Sequence, residues 1–103
     1  MVKLSAQDVA AAGLADWSLQ AGSLNTRLLS KDFATGLRLV QQIGAAAEAA
    51  DHHPDLDLRY AYVDVRLVSH DVGAVTDRDV RLARTISDLA AAEGVPADPA
   101  ASD

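Results

Sequence analysis

Apolar residues recur along this chain at two periods, and the changes from one to the other mark its elements. Leu4 and Val9 bracket Ser5 and Asp8, a hydrophobic staple around a capping box, which predicts a helix over residues 5–14 that Gly13 weakens at its end. From Trp17 the period falls to two. Trp17 and Leu19, then Leu24, Thr26 and Leu28, flank the turn signal Gly22-Ser23 and predict a short hairpin. A second helix, capped by Ser30 or Asp32, runs to about Ala50. Phe33, Leu37, Val40, Gly44 and Ala47 make one stripe along it, and Gly36, Leu39, Ile43, Ala46 and Ala50 an adjoining one. Such a face suits either deep packing on the chain's own sheet or sharing with another subunit.

Pro54 disfavours helical geometry at His53, so the helix stops before it and the pair His52-His53 falls on a loop. Alternation resumes with Leu56, Leu58 and Tyr60. Val63, Val65 and Leu67 then form one face of a strand whose other face carries Asp64 and Arg66. Thr76 and Asp79 make a second near-capping box, with Val75 and Val80 at the staple positions. Leu82, Ile86 and Leu89 line the buried side of a last helix that Gly94 and Pro96 end. Strands grouped in hairpins, rather than alternating with helices, predict an α+β domain over residues 1–93: an antiparallel sheet covered on one face by helices. The remainder, "GVPADPAASD" over 94–103, reads as a disordered tail.

Length and charge narrow the function. A chain of 103 residues suits one domain, and 15 acidic against 9 basic side chains give a formal net charge of −6. With no Lys/Arg cluster, nucleic-acid binding is disfavoured. There is no cysteine, which removes disulfides and thiolate metal sites and agrees with a cytoplasmic setting. Neither an apolar leader nor an apolar run of about 20 residues is present, so no signal peptide or membrane span is expected.

All three histidines lie at the ends of one stretch, "DHHPDLDLRYAYVDVRLVSHD", residues 51–71. Imidazole can give or take a proton near neutrality. A loop after a helix and the end of a neighbouring strand can lie together, bringing His52 or His53 near His70 in a small proton-handling cleft, with Asp71 orienting a ring. A three-histidine zinc site is disfavoured, because neighbouring residues in extended chain point to opposite sides and no H-x-H or H-E-x-x-H pattern exists.

These residues resemble the signature of the pterin-4a-carbinolamine dehydratase family. Its pattern is matched by Glu48, His52-His53-Pro54, Tyr60, Val63 and Val65, Ser69-His70-Asp71, Gly73, Val75-Thr76 and Asp79, with Trp17, Arg27 and Asp32-Phe33 upstream. The resemblance implies four antiparallel strands with three helices on one face. It also implies homodimers or homotetramers in which sheets join across subunits and second helices bundle. The implied reaction is loss of water from a 4a-hydroxytetrahydropterin to give a quinonoid dihydropterin, in tetrahydropterin recycling, with no metal or cofactor. His52 and His70 would then be the acid–base pair, and His53, Pro54 and Asp71 would hold the substrate. Leu56, Leu58 and Ala74 stand where many members carry an aromatic, an asparagine and a second glycine. Loss of the aromatic wall bears on pterin stacking, by on the order of 1 kcal/mol. Non-catalytic relatives on this scaffold serve as binding modules or assembly factors through protein partners, which is the alternative implied.

Overall fold

In the computed structural model, which describes residues 2–99, each helix starts where a short polar side chain takes up free backbone N–H groups. Ser5 and Asp8 form the expected reciprocal box at the start of α1 (Ala6–Ala11): Ser5 Oγ accepts from the Asp8 N–H at 3.1 Å, and Asp8 Oδ2 from the Ser5 N–H at 2.9 Å. This helix is shorter than its pattern predicts, since Ala12 closes it and Gly13 turns the chain at a φ of 69°. The cap of α2 (Phe33–Ala50) is Asp32, whose Oδ1 accepts from the Thr35 N–H at 2.8 Å; Ser30, the other candidate, is buried instead. Thr76 and Asp79 cap α3 (Asp77–Ala92) as a second complete box.

The antiparallel sheet has five strands: four in the order β1-β2-β4-β3, made of β1 (Ser18–Gln20), β2 (Ser23–Leu28), β3 (Asp55–Leu58) and β4 (Val63–Leu67), and a short fifth that pairs with β2. The register sets Thr26 beside Val65 and Val65 beside Leu56. Alternation then sends Leu24, Thr26, Leu28, Val63, Val65 and Leu67 inward, all at most 2% exposed. Leu39, Ile43, Leu82, Ala83 and Ile86 complete that core from the helices. Asn25, Arg27, Asp64 and Arg66 alternate with the inward set, and Arg27 grips Asp64 with two bonds of 2.8 and 2.9 Å. The chain is therefore α+β, with its helices on one face of the sheet. No helix of the described residues is long and apolar enough to cross a membrane.

The structure departs from the pattern in three further places. β3 ends at Leu58, and Tyr60 lies outside it at 75% exposure, because the Arg59 N–H donates to the Tyr62 carbonyl at 2.9 Å and closes a turn. Trp17 precedes its strand rather than opening it: the indole is buried and donates to Ser87 Oγ at 2.9 Å. The start of the expected disordered tail is structured. Val95 is buried, the Pro96 carbonyl accepts from the Leu29 N–H at 2.8 Å, and β5 (Ala97–Asp98) pairs with Arg27 and Leu28. Residues 100–103 of that tail lie outside the described residues.

Of the two stripes on α2, Gly36, Leu39 and Ile43 are buried together with Ala47, while Phe33 and Leu37 remain 47% and 41% exposed. A Cβ at Gly36 would stand 2.9 Å from Leu58 Cδ1. Glycine thus lets α2 lie against β3, and the link between these two elements is Asp51-His52-His53-Pro54.

Candidate functional site

Three segments supply the chemistry: the end of α2, the start of α3 and the loop that follows β4. Asp51 ends α2 in the left-handed region, at a φ of 50°, and the His52 N–H donates back to the Ala47 carbonyl at 3.1 Å. That is the six-to-one bond of a Schellman ending, with aspartate where glycine is usual. The reversal buries His52, which is 8% exposed.

Its partner is Asp79. His52 Nε2 lies 2.5 Å from Asp79 Oδ1, and the carboxylate is wholly buried. Asp79 Oδ2 also accepts from Ser69 Oγ at 2.7 Å and from the Thr76 N–H at 2.9 Å. Three partners converging on two oxygens suit an ionised, acceptor-only carboxylate, so the His52 proton is assigned to Nε2. Ser69 directs its proton to Asp79 and therefore accepts from Thr76 Oγ1 at 2.8 Å. His52 Nδ1 makes no bond to the described residues. This is the arrangement in which a carboxylate fixes a ring's tautomer and leaves its other nitrogen for a substrate.

His70 follows Ser69 directly, so it stands one residue along the backbone from a group bonded to the His52 partner. It sits exposed in a loop whose base is pinned by the Ser69–Ala74 bridge, with Gly73 at a φ of 72°. His53 is exposed and its Nε2 meets Glu48 Oε2 on the last turn of α2. Pro54, half-buried, leads into β3. Asp71 does not orient a ring: Arg78 Nη2 donates to its Oδ1 at 2.6 Å, and that bond holds the Asp71 carboxyl below the usual range.

A hollow of about 300 Å³ is lined by Asn25, Asp55, Asp57, Arg59, Asp64 and Arg66 on the side of the sheet away from the core. Another, of about 310 Å³, is lined by Leu14, Asp16, Arg84, Ser87 and Asp88. No histidine lines either. Glu48, His53, His70 and Asp71 are each exposed, and His52 is buried. Among the described residues no group of three or more His, Asp or Glu side chains could hold a metal ion.

Sequence reasoning assigned Asp79 to helix capping and missed its second task. The available signal was chemical: a capping aspartate uses one oxygen on the backbone and leaves the other free for a neighbour. Ser69 and Thr76 were equally legible only once the His70 loop was known to fold back on α3.

Known proteins resemble this chain over most of its length. Residues 2–89 match the model of a family described as pterin 4 alpha carbinolamine dehydratase. A Metallosphaera sedula protein provisionally named as a pterin-4-alpha-carbinolamine dehydratase is 37% identical over 91 residues, covering 86% of this chain and 95% of its own. A Nocardia farcinica protein of the same provisional name is 37% identical over 89 residues, covering 84% and 94%. Among solved structures, a transcriptional coactivator/pterin dehydratase from Brucella melitensis superposes with a TM-score of 0.82 at 29% identity, covering 86% of this chain and 99% of that one. A pterin dehydratase-like RuBisCO assembly factor of the alpha-carboxysome shares the fold alone, with a TM-score of 0.61 at 20% identity and coverage of 73% and 89%. With the match running through nearly every element, this chain belongs to the pterin 4 alpha carbinolamine dehydratase family.

Proposed function

We propose that this protein eliminates water from a 4a-hydroxytetrahydropterin, serving the recycling of a tetrahydropterin. The observation that carries the reading is the buried His52–Asp79 pair joined through Ser69 to the loop bearing His70. In the reaction the C4a–O bond breaks, the hydroxyl leaves as water after gaining a proton, and N5 gives up its own, leaving a C4a=N5 double bond. One imidazole donates to the hydroxyl while the other accepts from N5, so the protein's proton count is unchanged over a turnover. Positioned acid–base catalysis of this kind contributes about 10²–10⁴-fold. His53, Pro54 and the Asp71 loop bound the substrate on the open surface between them, and no cofactor is required.

Stopped-flow measurement of 4a-hydroxytetrahydropterin breakdown tests this. The intact protein accelerates the decay, and the His52→Ala, His70→Ala double variant does not. A wild-type protein without acceleration overturns the reading and leaves a binding or assembly role, which the exposed Phe33 and Leu37 on α2 would suit. We assign that same apolar stripe to assembly between copies of this chain, as a dimer or tetramer.

A further inference from the structure

We infer that Arg78 is a positioning residue for His70, acting through Asp71; the inference rests on the proposed dehydration. The first turn of α3 carries Arg78 and Asp79 side by side, and neighbouring helical residues diverge by about 100°. They reach the two halves of the site. Asp79 holds the His52 ring, and Arg78 holds the residue next to His70. One rigid helical turn thereby sets the spacing between the two proposed proton-transfer groups.

The His70 loop needs such a tie. Its base is fixed by the Ser69–Ala74 bridge and by Ser69 Oγ on Asp79 and Thr76. Its tip runs from His70 to Gly73, and of these residues Asp71 alone bonds the rest of the fold through its side chain, among the described residues. The pair is unlike an ordinary surface bridge. The Arg78 side chain is only 25% exposed, although that of Asp71 is 66% exposed, and the Arg78 Nε–H is shut away from solvent; among the described residues Asp71 is the one acceptor this anchored cation meets. The Arg81–Asp77 pair on the same helix is longer, at 3.5 Å, with side chains 70% and 55% exposed. A pair exposed at both ends constrains little; a 2.6 Å bond to a guanidinium anchored on α3 ties the four-residue tip at one point.

The test combines kinetics with backbone dynamics. Arg78→Met keeps the aliphatic stem and removes the cation, and Asp71→Asn removes the other charge. Each should lower kcat about tenfold, as expected for a misplaced proton-transfer group, and Arg78→Met, which alters no group proposed to bound the substrate, should change KM less than about twofold. In a His70→Ala background the same substitutions should have no further effect on kcat. ¹⁵N relaxation should show residues 70–73 loosening in Arg78→Met while the rest of α3 stays rigid. A tenfold loss that persists in the His70→Ala background overturns the inference, as does an unchanged tip in Arg78→Met. If the wild-type protein fails to accelerate the reaction, the proposed function falls by itself, and the relaxation data still decide whether Arg78 holds the loop.

Discussion

Replacing Asp79 by asparagine changes one atom in the most buried part of the site, and its consequences follow from the bonds that atom makes. Oδ2 accepts from both Ser69 Oγ and the Thr76 N–H, so the asparagine must keep its oxygen there to preserve the α3 cap. Its amide then faces His52 Nε2, which must become an acceptor, and the ring proton moves to Nδ1. The ring can no longer take a second proton without setting two N–H groups against each other. His52 is thereby locked in one neutral tautomer, and its share of proton transfer is lost, about 10²–10⁴-fold in kcat. Stability suffers less: charge-assisted bonds become neutral ones at about 1 kcal/mol each, roughly 2–3 kcal/mol in total. That corresponds to a drop in Tm on the order of 10–20 °C for a domain of this size. Stopped-flow kinetics on material shown to be folded by circular dichroism separates the two effects. A folded Asp79→Asn protein whose kcat stays within about twofold of wild type would refute the assigned tautomer and the role of the pair.

Further expectations follow from the same contacts. Ser87→Ala leaves the Trp17 Nε1–H without its partner, which should cost roughly 1–2 kcal/mol; urea unfolding followed by the emission of this sole tryptophan reads it, and an unmoved midpoint would contradict it. Acid should destabilise the fold, because several carboxyls are held below their usual range: Asp8 and Asp32 by the Ser5 and Thr35 N–H groups, Asp57 by Arg59, Asp71 by Arg78, and Glu93 by Gln42 and then Arg38. Depressed folded values mean that this stabilisation is present above the unfolded carboxylate pKa and is lost as pH falls through the lower folded ones. Tm should therefore decline below about pH 4, and a flat profile down to about pH 2 would be inconsistent. Leu37→Lys places a charge on the exposed stripe of α2 and should lower the mass seen by light scattering; a wild-type protein that is already a single chain removes the proposed assembly.

Sequence pattern carried the fold a long way because caps and staples are local. Ser5 with Asp8 and Thr76 with Asp79 are complete within four residues, and the structure forms both. Inward alternation along β2 and β4 is likewise a property of each strand alone. What was not legible depends on distant partners. Val95 and Ala97 stay on the fold because the edge of β2 beyond its pairing with β1 takes up β5 at Arg27 and Leu28. Trp17 leaves its strand for a hydroxyl 70 residues away. At the site, the histidines and Asp71 were visible as residue types, but which carboxylate serves which histidine was not. Asp79 took His52, and Asp71 took Arg78, because the first turn of α3 reaches both loops.

The central claim is that His52 and His70 act on a single pterin. A crystal structure with an unreactive dihydropterin analogue bound tests it most directly. The account predicts both imidazoles within about 3 Å of the C4a–N5 edge or of a water placed there, with the His52–Asp79 bond intact. An analogue seated in the hollow lined by Asp55, Asp57, Arg59 and Arg66, with neither ring in reach, would contradict it.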